Sequence, residues 1–255
     1  MKGIKWALPA AIFTGTLMTL TACGSNQPGN IADAKNLITT CPGQVNSYIA
    51  IDGTASGPES NQLAGPRKQA VAAELSRVAA CDGRVKVVVF SSSSAATATL
   101  FEDHLTLTGA TDQAKARKLE KVAAEAADKI AADYPQGLTT LSGGGSDPVA
   151  QMRLATEWAH QIGAGKFRLF EITDGFQTFG VTAEQLLSDP KAAAAQFPAP
   201  DLSGADVTFV GIGETSGDAP PTQVVDAVKA FYQELCTRSG AASCTVVTQA
   251  AGGAQ

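Results

Sequence analysis

Short apolar runs recur along the chain at spacings that suit the strands of a central sheet. Residues 85–90 (VKVVVF) give the clearest run, and a nearly continuous apolar strand is typical of a parallel sheet that is covered on both faces. Apolar, β-branched runs of similar length predict the other strands. These lie at residues 47–51, 97–107, 167–173, 207–212 and 244–248.

Between the predicted strands, apolar residues recur three or four positions apart, which is the period of a helix that buries one face. Val71, Leu75 and Val78 show this spacing on an alanine-rich background. Pro148 follows Asp147 and suits the first turn of another helix, where proline needs no N–H bond. The pattern predicts helices over residues 71–78, 112–133, 148–162 and 224–235, and a short helix within residues 184–196.

Strands that alternate with helices predict an α/β domain, in which a mainly parallel central sheet carries helices on both faces. In such sheets, ligands bind beyond the carboxyl ends of the strands. The residues that directly follow the predicted strands are therefore the first candidates for function.

Three segments, two that follow predicted strands and one that precedes a predicted helix, carry carboxylate and hydroxyl side chains and no histidine or cysteine. They are residues 52–56 (DGTAS), 143–147 (GGGSD) and 173–175 (TDG). Hard oxygen donors of this kind suit Mg²⁺, Mn²⁺ or Ca²⁺ rather than zinc or copper. The sequence therefore predicts a site for a hard divalent cation at the strand ends.

The first segment has the spacing D-x-T-x-S, so Asp52, Thr54 and Ser56 alternate along the loop. This spacing lets a short loop direct several oxygen atoms at one point. Gly53, between the first two, permits backbone angles that other residues avoid.

In order and position, the three segments resemble the metal-ion-dependent adhesion site (MIDAS) of von Willebrand factor A (VWA) domains. That site has D-x-S-x-S after the first strand, a threonine from a glycine-rich loop and the aspartate of a T-D-G motif. Asp52, Thr54 and Ser56 match the first motif, Ser146 matches the loop threonine, and Asp174 matches the T-D-G aspartate. The resemblance covers about residues 45–248 and implies a Rossmann-like VWA fold.

The resemblance also implies what each residue does. Thr54 and Ser56 would bind the cation through hydroxyl oxygen, and Asp52 and Asp174 would bind it directly or through water. A carboxylate from a partner protein would fill the open position, so that the domain acts by binding and not by catalysis. Thr54 replaces the usual serine and Ser146 the usual threonine, and residues 142 and 147 are alternatives for the loop ligand.

Two other functions remain open at this stage. A metal-dependent hydrolase is one, because the sequence Asp52-Gly53-Thr54 faintly resembles the nucleophile loop of phosphatases. Those loops usually carry a second aspartate where this chain has Thr54, which counts against hydrolysis. A metal-free envelope scaffold is the other, in which the fold is kept and the site has decayed.

The first residues predict export. Lys2 and Lys5 precede an uncharged apolar run at residues 6–20, which is too short for a membrane-spanning helix of about 20 residues. Residues 20–23 (LTAC) match the lipobox of bacterial lipoproteins, which implies cleavage before Cys23 and lipidation of its sulfur. A plain secretory signal is the alternative.

We therefore divide the chain into a signal segment (residues 1–22), a lipidated Cys23 with a flexible tether (residues 23–40) and a VWA-like domain (residues 41–250). Removal of the signal takes away two lysines and no acid, and changes the formal net charge from −5 to −7. An acidic surface argues against nucleic acid as a partner. Attachment to the cell membrane would rest on the acyl chains.

Four further cysteines suggest disulfide bonds in an exported protein, although four cysteines allow three pairings. Cys41 and Cys81 each precede one of two strands expected to be neighbours, and Cys236 and Cys244 flank a short helix-to-strand loop. We expect these two pairs, with unpaired buried thiols as the alternative. No CxxC motif is present and the chain has 2 histidines, so a zinc site has little support.

Overall fold

The computed structural model describes residues 30–54, 61–141 and 144–249. The predicted signal segment, Cys23 and Ser56 lie outside these described residues, and so does Ser142, one of the alternatives for the loop ligand.

Within the described residues, six strands form one sheet in the order β3-β2-β1-β4-β5-β6. All neighbouring strands are parallel except β2 and β3, which are antiparallel. The strands are β1 (Ser47–Asp52), β2 (Gly83–Phe90), β3 (Thr97–Leu105), β4 (Phe167–Ile172), β5 (Ala205–Val210) and β6 (Ser243–Val247).

Helices cover both faces of this sheet, which confirms the predicted α/β fold class. On one face lie α1 (Ile31–Thr39), α2 (Gly65–Ala80) and α3 (Asp112–Thr139). On the other lie α4 (Pro148–Gln161), α5 (Ala183–Ser188), α6 (Pro190–Ala195) and α7 (Thr222–Arg238).

The two faces of each central strand feed two separate apolar cores. In β1, Ile49 and Ile51 pack in the core beneath α2 and α3, whereas Tyr48 and Ala50 pack in the core beneath α4 and α7. Every residue of β1 is buried. A strand that is buried on both faces needs apolar residues at successive positions, which is why these strands appear in the sequence as continuous runs.

The strand order makes β1 and β4 the place where ligands are expected. From β1 the chain moves outward through α2 to β2 on one face, and from β4 it moves outward to β5 and β6 by way of the other face. The carboxyl ends of the two strands at such a switch point leave a crevice between the diverging connections. Asp52 ends β1, and Asp174 follows β4 by two residues.

The structure corrects the predicted tether of residues 23–40, because α1 occupies most of its second half. The side chain of Asn30 caps this helix by accepting the backbone N–H groups of Ala32 and Asp33. Ala34 is buried in the core, and α1 packs against α3. The folded domain therefore includes α1 and does not start at residue 41.

Other elements also differ from the sequence prediction. One short helix was predicted within residues 184–196, and the structure has α5 and α6 there. The helix predicted over residues 112–133 continues to Thr139 and contains Pro135. The third strand is an antiparallel edge strand that ends at Leu105, two residues earlier than predicted. Pro148 begins α4 as predicted, and the Asp147 side chain accepts the N–H of Ala150 as the helix cap.

Both expected cysteine pairs are disulfide bonds in the structure. Cys41 is bonded to Cys81 across 40 positions, and Cys236 is bonded to Cys244 across 8. The first bond ties the segment after α1 to the end of α2, and the second ties α7 to β6. Of the helices in the described ranges, none has the length and apolar character that would let it cross a membrane.

Candidate functional site

The carboxylate of Asp52 is the centre of the candidate site, and four hydrogen bonds converge on it. One oxygen, Oδ1, accepts the backbone N–H of Thr54 at 2.9 Å and the Thr54 hydroxyl at 2.7 Å. The other, Oδ2, accepts the hydroxyls of Ser146 at 2.7 Å and Thr173 at 2.8 Å. Three loops thus deliver hydroxyl groups to one buried carboxylate.

The loop after β4 holds Ser146 in place. The Thr178 hydroxyl accepts the backbone N–H of Ser146 at 2.8 Å and donates to its carbonyl at 3.1 Å. The Gln177 amide donates to the Asp147 carboxylate at 2.8 Å. Asp147 also caps α4, and among the described residues of this loop it is Ser146 whose side chain donates to Asp52.

Asp174 lies beside Asp52 and lines the same small cavity. Its Oδ1 accepts the N–H of Phe176 at 3.0 Å, which fixes the turn after β4. Gly175 follows with a φ of +82°, and an added Cβ there would lie 2.7 Å from Val228. Glycine is required at this position for both reasons, so the T-D-G motif sets the direction of Asp174.

The cavity between β1 and β4 measures about 10 Å³, which is roughly the room of one water-sized sphere. Asp52, Asp174 and Glu214 contribute three carboxylates to its lining, and Arg67 contributes one guanidinium. The formal charge of these four groups is −2, which is the charge that one divalent cation would neutralise.

Arg67 also supports the backbone of the site. Its guanidinium donates to the carbonyl oxygen of Asp52, and the Tyr134 hydroxyl donates to the same oxygen at 3.4 Å. The Tyr134 ring lies 6.0 Å from the guanidinium carbon, which is within the range of a cation–π contact. These contacts fix the end of β1 from the α2 and α3 side of the sheet.

The donor set fits a hard divalent cation. A hydroxyl that gives its proton to Asp52 keeps its lone pairs, so Thr54 and Ser146 can offer oxygen to a cation while staying bonded to the carboxylate. Carboxylate and hydroxyl oxygens are ligands that Mg²⁺ accepts. In the described part of the chain, no three Asp, Glu, His or Cys side chains form a metal-binding group.

A buried carboxyl group lies beneath the site on β4. Glu171 is fully buried, and neither of its oxygens has a hydrogen-bond partner among the described residues. Burial raises the pKa of Glu171 well above its ordinary value, and the negative charges of Asp52 and Asp147 raise it further. The folded domain therefore favours the neutral form of this carboxyl group.

Sequence reasoning selected Asp52, Thr54, Ser146 and Asp174, and the structure brings all four to the same end of the sheet. It missed several residues that complete the site. The hydroxyl of Thr173 was detectable, since it belongs to the quoted T-D-G motif. The others gave no local signal in the sequence: Arg67, Glu171, Thr178 and Glu214.

The order of the strands, the antiparallel edge strand and the helices on both faces define a VWA-like α/β fold. No family model matches the chain, and no curated protein matches it.

Several solved structures are similar over most of their length. BatB from Bacteroides thetaiotaomicron is 17% identical, with a TM-score of 0.40 over 80% of this chain and 90% of that one. An aerotolerance-related membrane protein from Bacteroides fragilis is also 17% identical, with a TM-score of 0.38 over the same shares. The VWA domain of SpRpn10 is 11% identical, with a TM-score of 0.39 over 80% and 87% of the two chains. Likeness at this level concerns the fold alone.

Proposed function

We propose that this domain is a binding module that holds a divalent cation at the carboxyl ends of β1 and β4, with Mg²⁺ as the preferred ion and Mn²⁺ or Ca²⁺ as alternatives. Through this cation it captures a carboxylate of a protein partner. The observation that carries the proposal is the convergence of the Thr54 and Ser146 hydroxyls on Asp52, next to a cavity that Asp174 also lines. Ser56, which follows the same spacing, would add a third hydroxyl.

The hydrogen bonds at Asp52 support binding over hydrolysis. A carboxylate nucleophile needs an oxygen with an accessible lone pair, and a carboxylate has about four acceptor positions. Four donors already occupy Asp52, two on each oxygen. Asp52 is therefore suited to position hydroxyl groups, and a phosphatase-like attack by it would require breaking this network first.

The test is calorimetric titration of Mg²⁺ and Mn²⁺ into the chain from residue 30 onward. This part contains both apolar cores and both disulfides that the structure describes. Asp52→Asn and Asp174→Asn keep the side-chain shape and remove one charge each. Asp133→Asn, on the exposed side of α3, is the matched control.

We expect one saturable site in the wild type and in the control, and its loss in both site variants. Circular dichroism must show that the variants stay folded. If the folded wild type binds neither cation, the domain is a metal-free scaffold. Cation-dependent turnover of phosphate or carboxylic ester substrates would favour the hydrolase instead.

The second part of the proposal concerns location. The domain is held outside the cytoplasm, on the cell membrane, by lipid on Cys23, and its acidic surface makes no electrostatic contribution to that attachment. Fractionation of cells that express the full chain tests this, with Cys23→Ser beside the wild type. We expect the wild type in the membrane fraction and the variant in the soluble fraction, and equal partition of the two would exclude the lipid anchor.

A further inference from the structure

A second cavity lies at the opposite end of the sheet, and we call it the basal cavity. It has a volume of about 270 Å³ and opens at the amino ends of β1, β4 and β5. The size is close to the lower limit of typical small-molecule pockets, which is about 300 Å³. Its apolar wall includes Leu37, Val45 and Phe167.

Cationic side chains outnumber acidic ones in the lining of the basal cavity. Arg77, Lys166 and Arg168 contribute three positive charges, and Asp206 contributes one negative charge. The buried carboxylate of Glu74 forms ion pairs with Arg77 and Arg168, so the formal charge of these five groups, three cations and two carboxylates, is +1. A cluster of cations is unusual for a chain whose formal net charge is −5. The imbalance gives the cavity a local potential that favours an anion.

Two of these cationic side chains have N–H donors that are not used in hydrogen bonds among the described residues. Within the described residues, the exposed ammonium group of Lys166 forms neither a hydrogen bond nor an ion pair. Arg168 has five N–H donors, and two of them bind the Glu74 carboxylate, at 2.7 and 3.3 Å. Asp206 is the other acid near Arg168, with 3.8 Å between the closest nitrogen and oxygen atoms.

The wall that carries Arg168 is fixed in position. Glu74 is buried and also accepts the hydroxyl of Ser47 at 2.8 Å, so the carboxylate that orients the guanidinium is itself held. The disulfide between Cys41 and Cys81 joins two other parts of the cavity lining. A guanidinium that is oriented in advance loses little freedom when it binds a ligand.

We propose that the basal cavity binds a small organic anion, a carboxylate with a short apolar tail. The ammonium of Lys166 and the spare N–H donors of Arg168 take the carboxylate, and the apolar wall takes the tail. This site is separate from the proposed cation site. Asp52 lies six positions after Asn46 along β1, which corresponds to roughly 20 Å along a strand.

Titration with hexanoate tests the proposal, using the chain from residue 30 onward and monitoring the backbone amides by NMR. Acetate tests the contribution of the tail, hexanol tests the contribution of the charge, and inorganic phosphate tests selectivity among anions. Lys166→Met keeps the length of the side chain and removes its charge. Lys121→Met, on the exposed side of α3, is the matched control.

We expect saturable hexanoate binding that shifts the amides near Lys166 and Gly204, with weaker binding of acetate, phosphate and hexanol. Lys166→Met should weaken hexanoate binding about tenfold, the usual effect of one charged hydrogen bond, while Lys121→Met and the addition of EDTA change nothing. Equal binding of hexanol and hexanoate would overturn the proposal, and so would shifts that never saturate. Because EDTA removes any cation, these outcomes do not depend on whether the proposed metal site exists.

Discussion

Replacing Glu171 by glutamine tests the electrostatics of the core beneath the candidate site. Glutamine has nearly the same shape and cannot ionise. Glu171 is fully buried, and its two oxygens have no hydrogen-bond partner among the described residues. The neutral acid and the amide therefore face similar costs of burial, and the two proteins should have similar stability at acidic pH.

At higher pH the two proteins should diverge. In the unfolded chain Glu171 ionises near its ordinary pKa of 4.5. In the folded domain burial raises its pKa well above that value, and the negative charges of Asp52 and Asp147 raise it further. Between these two pKa values the folded state keeps a proton that the unfolded state has released. The free energy of unfolding of the wild type therefore falls as pH rises, by about 1.4 kcal/mol per pH unit.

Urea unfolding in EDTA, from about pH 4 to about pH 8, measures this effect. The free energy of unfolding of Glu171→Gln minus that of the wild type should be near zero at the acidic end. It should then rise by about 1.4 kcal/mol per pH unit until the pKa of the folded state is reached. Glu120→Gln, on the exposed side of α3, should show no such trend. A difference that stays constant with pH would refute the claim that Glu171 is neutral in the fold.

Three further predictions concern stability. Ser146→Ala removes a buried hydroxyl that donates to Asp52, and should lower the free energy of unfolding in urea by about 1–3 kcal/mol. Ser188→Ala, which removes an exposed hydroxyl, should change this free energy little. Tyr232→Phe removes the hydroxyl that donates to a carbonyl of the T-D-G turn, and urea unfolding should show a loss of about 1–3 kcal/mol. Replacing Cys41 and Cys81 by serine should cost about 4 kcal/mol, against about 2.5 kcal/mol for the other disulfide, because the first closes 40 positions and the second 8. An equal loss for the two disulfides would contradict the loop-closure explanation.

Much of the fold could be predicted from local patterns. Each central strand is buried on both faces, so these strands appear in the sequence as short continuous apolar runs. The predicted bounds of all six strands agree with the structure within two residues. The start of α4 could be predicted because Pro148 and its capping Asp147 act on their own backbone. The helix α1 was missed even though Ile31, Ala34 and Ile38 recur at helical spacing, because the helix is short and only Ala34 of its nine residues is buried.

The arrangement of the candidate site was likewise predictable from the sequence only in part. Asp52, Thr54 and Asp174 lie at strand ends, and because parallel strands end at one edge, the sequence by itself placed them near each other. Ser146 was identified through a motif, but its bond to Asp52 spans 94 positions and depends on how the loop before α4 is held. No local pattern encodes that distance.

The tertiary structure also explains the glycine at position 53 differently from the sequence. The sequence suggested that this glycine permits unusual backbone angles, yet it is absent from the residues with positive φ. An added Cβ would instead lie 2.7 Å from Leu138 and 2.8 Å from Val89, so glycine is required there by close packing.

The sequence by itself determined the alternation of strands and helices and the residue types at the strand ends, because hydrophobic periodicity and capping act over a few residues. Only the tertiary structure decided the four hydrogen bonds at Asp52, the charge balance with Arg67 and Glu214, and the burial of Glu171. Those features depend on side chains from separate elements that meet only when the strands are in register and the helices are packed.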